Sequence, residues 1–380
     1  MHTPPDRMRP AQRHRDLPGI SGAGQKDVAT QARHPLAISL TVALPLLVIA
    51  LAAAITAGVA FGSVNIGLGS VVQVIGHHLV GASPSGSSFA IDDQIVWQLR
   101  LPEVLLAAIV GAGLAIVGAT LQATVRNPLA DPYLLGVSSG AGFLAAAVIT
   151  LGSAAVAGLS TSAAAFFGAL LSTALVLGIS AGSGNRFAPT RVVLAGVTLS
   201  FFFLGLTNYL IFQSNDPDAA TSVLFWLLGS LTNATWTNLG PATAALVLGS
   251  GYLLTQCRSL NALTVGDETA LSVGVSVRGL RVRLLIVTSL ITGVMVAVAG
   301  GVSFVGLVIP HVVRLAVGSD HRKVLPVTAL VGAVFLVLVD LICRVATSPQ
   351  VLPVGIVTSV LGAPLFLWIL RRSRSGVMAR

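Results

Sequence analysis

Few side chains in this sequence have the type and spacing to do chemistry. Asp340 and Arg344 lie four residues apart in the apolar run LVGAVFLVLVDLICRVA, so they share a helix face and form an intramembrane pair. A charge at the centre of a membrane helix costs about 2.5–3.5 kcal/mol on insertion scales, so each must be compensated. The pair reads as a proton or ion relay, or as a helix-packing ion pair near the outer surface. A relay calls for several buried ionisable groups, and the apolar segments offer one clear carboxylate. His311 follows Pro310 in GLVIPHVVR, where the proline interrupts the helix ladder; a hinge or inner-loop contact is the plainer reading than a ligand. His77 and His78 are adjacent and point to different sides of a helix, which disfavours a shared metal. Cys257 and Cys343 give neither a disulfide framework nor metal spacing.

No phosphate-binding loop is present. The only lysines are Lys26 and Lys323, and neither follows a glycine. HExxH and CxxC are also missing and no GxSxG nucleophile elbow is read, so no metal site and no catalytic residue is expected. Any ATP must be bound by another chain.

The elements that hold these residues are membrane helices. Of the 380 residues, 54% are hydrophobic and 9% charged, with a mean hydropathy of +0.89. Apolar runs of about 20 residues recur along nearly the whole length, without the alternation of barrel strands. The fold class is all-α polytopic, with about ten spans near 36–60, 101–125, 133–152, 158–180, 190–213, 238–256, 284–300, 302–318, 324–346 and 353–370. Residues 1–35 read as a disordered basic arm, 36–372 as a ten-helix membrane domain and 373–380 as a tail. Between the first two spans, SVVQVIGHHLVG reads as a short amphipathic helix. The net charge of +9 is not a nucleic-acid signal. With both termini cytoplasmic, all of the 22 Lys and Arg residues except Arg100 and Arg344 fall in inner segments, as the positive-inside rule requires. GAGLAIVGATLQ (111–122) faintly repeats in GVMVAVAGGVSF (293–304). The offset of five spans would make the copies inverted, a common transporter plan.

The most heavily charged interval between the spans is 258–283, RSLNALTVGDETALSVGVSVRGLRVR. Asp267 or Thr264 is placed to cap a short helix, Ala270, Leu271 and Val273 to give it an apolar side, and Gly266, Gly274 and Gly279 to turn its ends. A partner-contacting helix and a solvated loop with ordinary positive-inside arginines fit these residues equally.

Four phrases together resemble the FecCD-type permease family: RLPEVLLAAIVGAGLAIVGATLQATVRNPLADPYLLGVSSGAG (100–142), LNALTVGDETALSVGV (260–275), FVGLVIPHVVRLAVGSDHRKVLP (304–326) and LPVGIVTSVLGAPLFLWIL (352–370). That resemblance covers about 38–372. It implies the membrane subunit of an ABC importer for ferric siderophores, haem or cobalamin in a bacterial plasma membrane. The implied partners are a second permease subunit, two cytoplasmic ATPase subunits that bind ATP and Mg, and an extracytoplasmic substrate-binding protein. It assigns ATPase coupling to Leu263, Gly266, Asp267, Glu268, Ala270, Leu271 and Gly274. Docking of the binding protein falls to the 100/103 and 344 positions, here Arg100, Glu103 and Arg344. Pathway or gate candidates are Asn127, Pro128, Phe202, Asn208, Pro310 and His311, with the fifth and tenth spans flanking the route. Two positions depart from the family pattern: Glu103 replaces a usual arginine, and Val351 a usual glutamate. A different reading, an ion- or proton-coupled carrier using Asp340, would need no ATPase. A membrane-embedded enzyme would need clustered His, Asp or Glu.

Overall fold

The computed structural model describes residues 39–81, 89–181 and 189–377. The expected disordered arm, 1–35, lies outside these residues. Among the described residues the secondary structure is helical throughout. The helices are α1 (Leu40–Ala60), α2 (Leu68–Val80), α3 (Phe89–Asp93), α4 (Leu101–Val125), α5 (Val137–Leu151), α6 (Thr161–Ala181), α7 (Pro189–Gln213), α8 (Ala219–Leu228), α9 (Trp236–Thr255), α10 (Cys257–Val265), α11 (Asp267–Ser272), α12 (Val277–Ala299), α13 (Val305–Val317), α14 (His321–Val345) and α15 (Val354–Val377). A π-helical stretch, Gln94–Arg100, joins α3 to α4, making one continuous apolar helix of 37 residues. The second span therefore begins a dozen residues before the boundary expected from hydropathy. At the other end of the chain α15 continues to Val377, past the expected start of the tail.

Among the described residues six helical stretches are long and apolar enough to cross a membrane: α1, α3–α4, the stretch ending in α6, α7, α12 and α14. The ten-span count is completed by α5, α9, α13 and α15. Of these, α13 has 13 residues. At roughly 1.5 Å per residue it is about 20 Å long, short of a bilayer core of about 30 Å. The chain covers the remaining depth as irregular backbone over 300–304, with Phe304 at φ 67°. Such backbone is tolerated at membrane depth only where protein covers it. Here Val302 and Val305 are fully buried, and the Val302 N–H donates to the Tyr133 hydroxyl. Hydropathy reads straight through this break because its residues are as apolar as the helices beside it.

Helix α4 is the centre of the bundle. In its most apolar window 89% of residues are buried, against 33% for α7. It packs on α14, α12, α13 and α9. Two glycine pairs let the backbones touch. A Cβ at Gly111 would lie 2.2 Å from the Gly332 carbonyl oxygen on α14, and one at Gly118 would lie 1.9 Å from that of Gly306 on α13. Small residues at such crossings are how membrane helices pack without a hydrophobic driving force between them.

Candidate functional site

The polar interval 258–283 folds as two short helices, α10 and α11, followed by the first turn of α12. Gly266 separates the short pair at φ 154°, a backbone that L side chains rarely adopt. On α10, Leu260 and Leu263 are fully buried, and Ala270 is the buried anchor of α11. The outward surface is a small apolar knuckle of Val265, Leu271 and Val273, each at least 60% exposed, with exposed Glu268 beside it.

The knuckle is held from behind. Arg281 is buried and donates from its two terminal nitrogens to the Asp267 carboxylate at 2.7 and 3.0 Å. Its Nε donates to the carbonyl of Thr124 at the end of α4, 3.2 Å away. Arg126 adds a second guanidinium 3.5 Å from Asp267. A bidentate Arg–carboxylate pair fixes orientation as well as distance. The expected caps are therefore wrong. Asp267 is committed to Arg281, and the Thr264 hydroxyl donates back to the Asn261 carbonyl. Of the residues expected to couple, Leu263, Asp267 and Ala270 hold the knuckle, Gly266 and Gly274 turn it, and Glu268 and Leu271 face outward.

A second attachment was not legible in the sequence. Asn261 of α10 donates from Nδ2 to the Asp320 carboxylate at 2.7 Å. Its Oδ1 accepts from the backbone N–H of His321 at 2.9 Å and from His321 Nδ1 at 2.7 Å. That last contact requires the proton on Nδ1. Asp320 caps α14 through Arg322 N–H, and the Asn261 amide is the main influence holding its carboxyl below the usual range. The partners stand about sixty positions apart in sequence and are joined only by the fold.

At the opposite end of α14 the intramembrane pair forms as expected, with Arg344 donating to Asp340 at 2.7 Å. Arg344 also donates to the Gly58 carbonyl on α1 at 2.9 Å and lies 3.9 Å from the Glu103 carboxylate on α4. Arg100 donates to the carbonyls of Val59 and Ala60, at 2.8 and 3.1 Å, and to that of Val64. This corrects the expectation that Arg100, Glu103 and Arg344 face a docking protein. All three are at most 7% exposed, and the two arginines bind backbone and carboxylate groups inside the bundle. The cluster holds two guanidiniums and two carboxylates, so Glu103 balances its charge. Cys257 and Cys343, near opposite ends of the bundle, are both free and buried.

The pathway candidates divide. On α7, positions 194, 198, 201, 202, 205, 208, 209 and 212 form one exposed stripe at helical spacing, with Phe202 and Asn208 in it and Phe212 86% exposed. Between α5, α7 and α8 lies a cavity of about 350 Å³ lined by Tyr133, Ser138, Ser139, Ser200, Phe201 and Thr207. Its hydroxyls were not picked out from the sequence, although GVSSG stood in a quoted phrase. That run has the GxSxG spacing of a nucleophile elbow, but it opens α5 after a 3-10 turn rather than joining a strand to a helix. Asn127 and Pro128 sit in the turn after α4, where Asn127 Oδ1 accepts from Leu129 N–H. Pro310 is buried within α13, and His311 is half-buried beside it. Neither pair faces the cavity. Among the described residues no three His, Cys, Asp or Glu side chains come together as a metal site.

This frame has known counterparts. The sequence pattern of the FecCD transport family matches residues 46–372. The chain belongs to that family. ABC transporter permease YvrB of Bacillus subtilis is 40% identical over 86% of this chain and 92% of its own. The cobalamin import permease BtuC of Halobacterium salinarum is 44% identical over 73% of each chain, and the hemin permease HmuU of Yersinia pestis 39% over 73% of this chain and 84% of its own. A solved metal-chelate type ABC transporter in an inward-facing conformation matches with a TM-score of 0.74 at 30% identity, over 87% of this chain and 98% of that one. As a FecCD member the chain is a multi-pass membrane permease of the ABC importer kind.

Proposed function

We propose that this chain is the translocation subunit of an ATP-driven importer of a bulky metal chelate, an iron–siderophore complex or a related chelate such as haem or cobalamin. The knuckle of α10 and α11 carries the reading. It is a small apolar surface, held rigid by the Asp267–Arg281 clamp, on the face where the basic residues gather. By the positive-inside rule that face is cytoplasmic, with both termini inside. A soluble ATPase that binds ATP and Mg would cover Val265, Leu271 and Val273 and move them when it closes. The permease itself does no covalent chemistry. A binding protein delivers cargo on the other side, and each state is selected by differential contacts.

The surfaces along the route support a large, weakly held cargo. The α7 stripe from Leu194 to Phe212 presents aromatic and aliphatic groups with one amide, Asn208, and the cavity beside it adds hydroxyls. Neither carries a charge that would trap an anion or cation. The relatives named for cobalamin and hemin carry cargo of this kind. Apolar packing of α7 stripes is the natural contact for a second permease subunit around the route.

The knuckle is tested by Leu271→Asp together with Val273→Asp. Both side chains are exposed, so membrane insertion should be normal, while co-purification with the ATPase subunits should fall at least about tenfold. Retention of the ATPase at wild-type yield would remove the knuckle from the contact.

A further inference from the structure

Helix α14 is anchored by polar side chains at both ends, and the anchors belong to different parts of the bundle. At its first turn stand Asn261, Asp320 and His321; at its last, Asp340 and Arg344 with Gly58 of α1 and Glu103 of α4. Its 25 residues span about 37 Å at roughly 1.5 Å each, enough to join the two faces. Midway, the Gly111–Gly332 crossing seats it on α4 without a side chain between them.

The first turn is the weak point. Pro326 has no N–H, so the rung that would tie it to the Arg322 carbonyl is absent and the opening turn has one fewer link to the rest of the helix. What fixes this turn from outside is Asn261. One amide accepts from the His321 backbone and ring and donates to the capping carboxylate. Asn261 sits on α10 beside the buried Leu260 and Leu263, behind the knuckle rather than on its exposed surface. The other hold on the knuckle, through Asp267 and Arg281, leads to α12 and to the end of α4.

We propose that Asn261 is a positioning residue for coupling: the Asn261–Asp320–His321 junction is where movement of α10 and α11 enters α14, which carries it to the ion cluster on the opposite face. This rests on the importer reading above. It separates two jobs within one loop, since the exposed knuckle meets the ATPase while the half-buried amide behind it passes the displacement on.

The geometry suggests an exchange test. Asn261→Asp keeps both acceptors for His321 but sets a carboxylate against Asp320. Adding Asp320→Asn restores a donor toward residue 261; because one Asp320 oxygen accepts both this bond and the Arg322 N–H, the asparagine amide must turn so that its oxygen keeps the cap, a role asparagine fills well. The permease, assembled with its ATPase subunits in lipid nanodiscs, is assayed for ATP hydrolysis with and without its loaded binding protein. Asn261→Asp should lower the ratio of stimulated to unstimulated hydrolysis at least fivefold, and the exchange pair should return it to within twofold of wild type. Asn261→Ala, which removes the amide without adding charge, is read in parallel and should lie between; it also serves if the charged variant does not assemble. Wild-type stimulation in Asn261→Asp or Asn261→Ala would overturn the proposal, as would an assembled exchange pair that stays unstimulated. A wild-type complex that its binding protein does not stimulate would overturn the importer reading itself, and the junction with it.

Discussion

Glu103 alters the charge around the neighbouring arginines. With a third arginine in its place, three cations and Asp340 would share one buried site, and some would have to turn outward. With glutamate there, the charges of Arg100, Glu103, Asp340 and Arg344 cancel, and Arg344 stays 7% exposed against Gly58 and Asp340. Breaking a buried pair by removing one partner usually costs about 3–5 kcal/mol, because the partner's charge is left uncompensated, whereas replacing both by apolar groups costs far less. Arg344→Met should therefore lower the unfolding midpoint of the detergent-solubilised chain sharply, and Asp340→Leu with Arg344→Met should recover most of the loss. Equal midpoints for Arg344→Met and wild type would contradict this. The pairing of Asp340 with Arg344 was legible because a four-residue helical spacing carries it. The burial of Arg100 was not, since a charge near the end of an apolar run reads as exposed until Val59, Ala60 and Val64 supply acceptors.

Helix crossings are set by backbone contact at α4. A Cβ on residue 118 would meet Gly306 oxygen, carbonyl carbon and Cα all within 2.5 Å, and no side-chain rotation relieves a clash with backbone. Gly118→Val should abolish recovery of folded permease from membranes, whereas Gly251→Ala, with open space around it, should leave yield unchanged. Fluorescence size-exclusion of tagged variants reads both, and a folded Gly118→Val would show that α4 and α13 do not meet as described. The long spans were readable from sequence because runs of about 20 apolar residues have few other uses. The short α13 and its unwound entry were not, because Gly301, Val302 and Phe304 are as apolar as helix. The knuckle's glycines and Ala270 were readable as turns and an apolar side. Its clamp was not, because Asp267 had two competing uses and only the fold brings Arg281 to it.

Across the whole molecule, function-bearing groups lie at the two ends of a bundle centred on α4. One end presents the knuckle and its two buried attachments, through Arg281 to α4 and α12 and through Asn261 to α14. The other holds a neutral ion cluster joining α1, α4 and α14. A proton-coupled carrier would need a carboxylate or imidazole open to the route, yet the exposed α7 stripe from 194 to 212 carries neither, and Asp340 is sealed at 1% exposure. The direct measurement is uptake of ferric siderophore, haem and cobalamin into proteoliposomes holding this permease with its ATPase subunits, with binding protein on the cargo side. The account predicts accumulation of one of these chelates that requires ATP on the knuckle side and is unchanged when a pH gradient is collapsed. Accumulation driven by a pH gradient without ATP would contradict it.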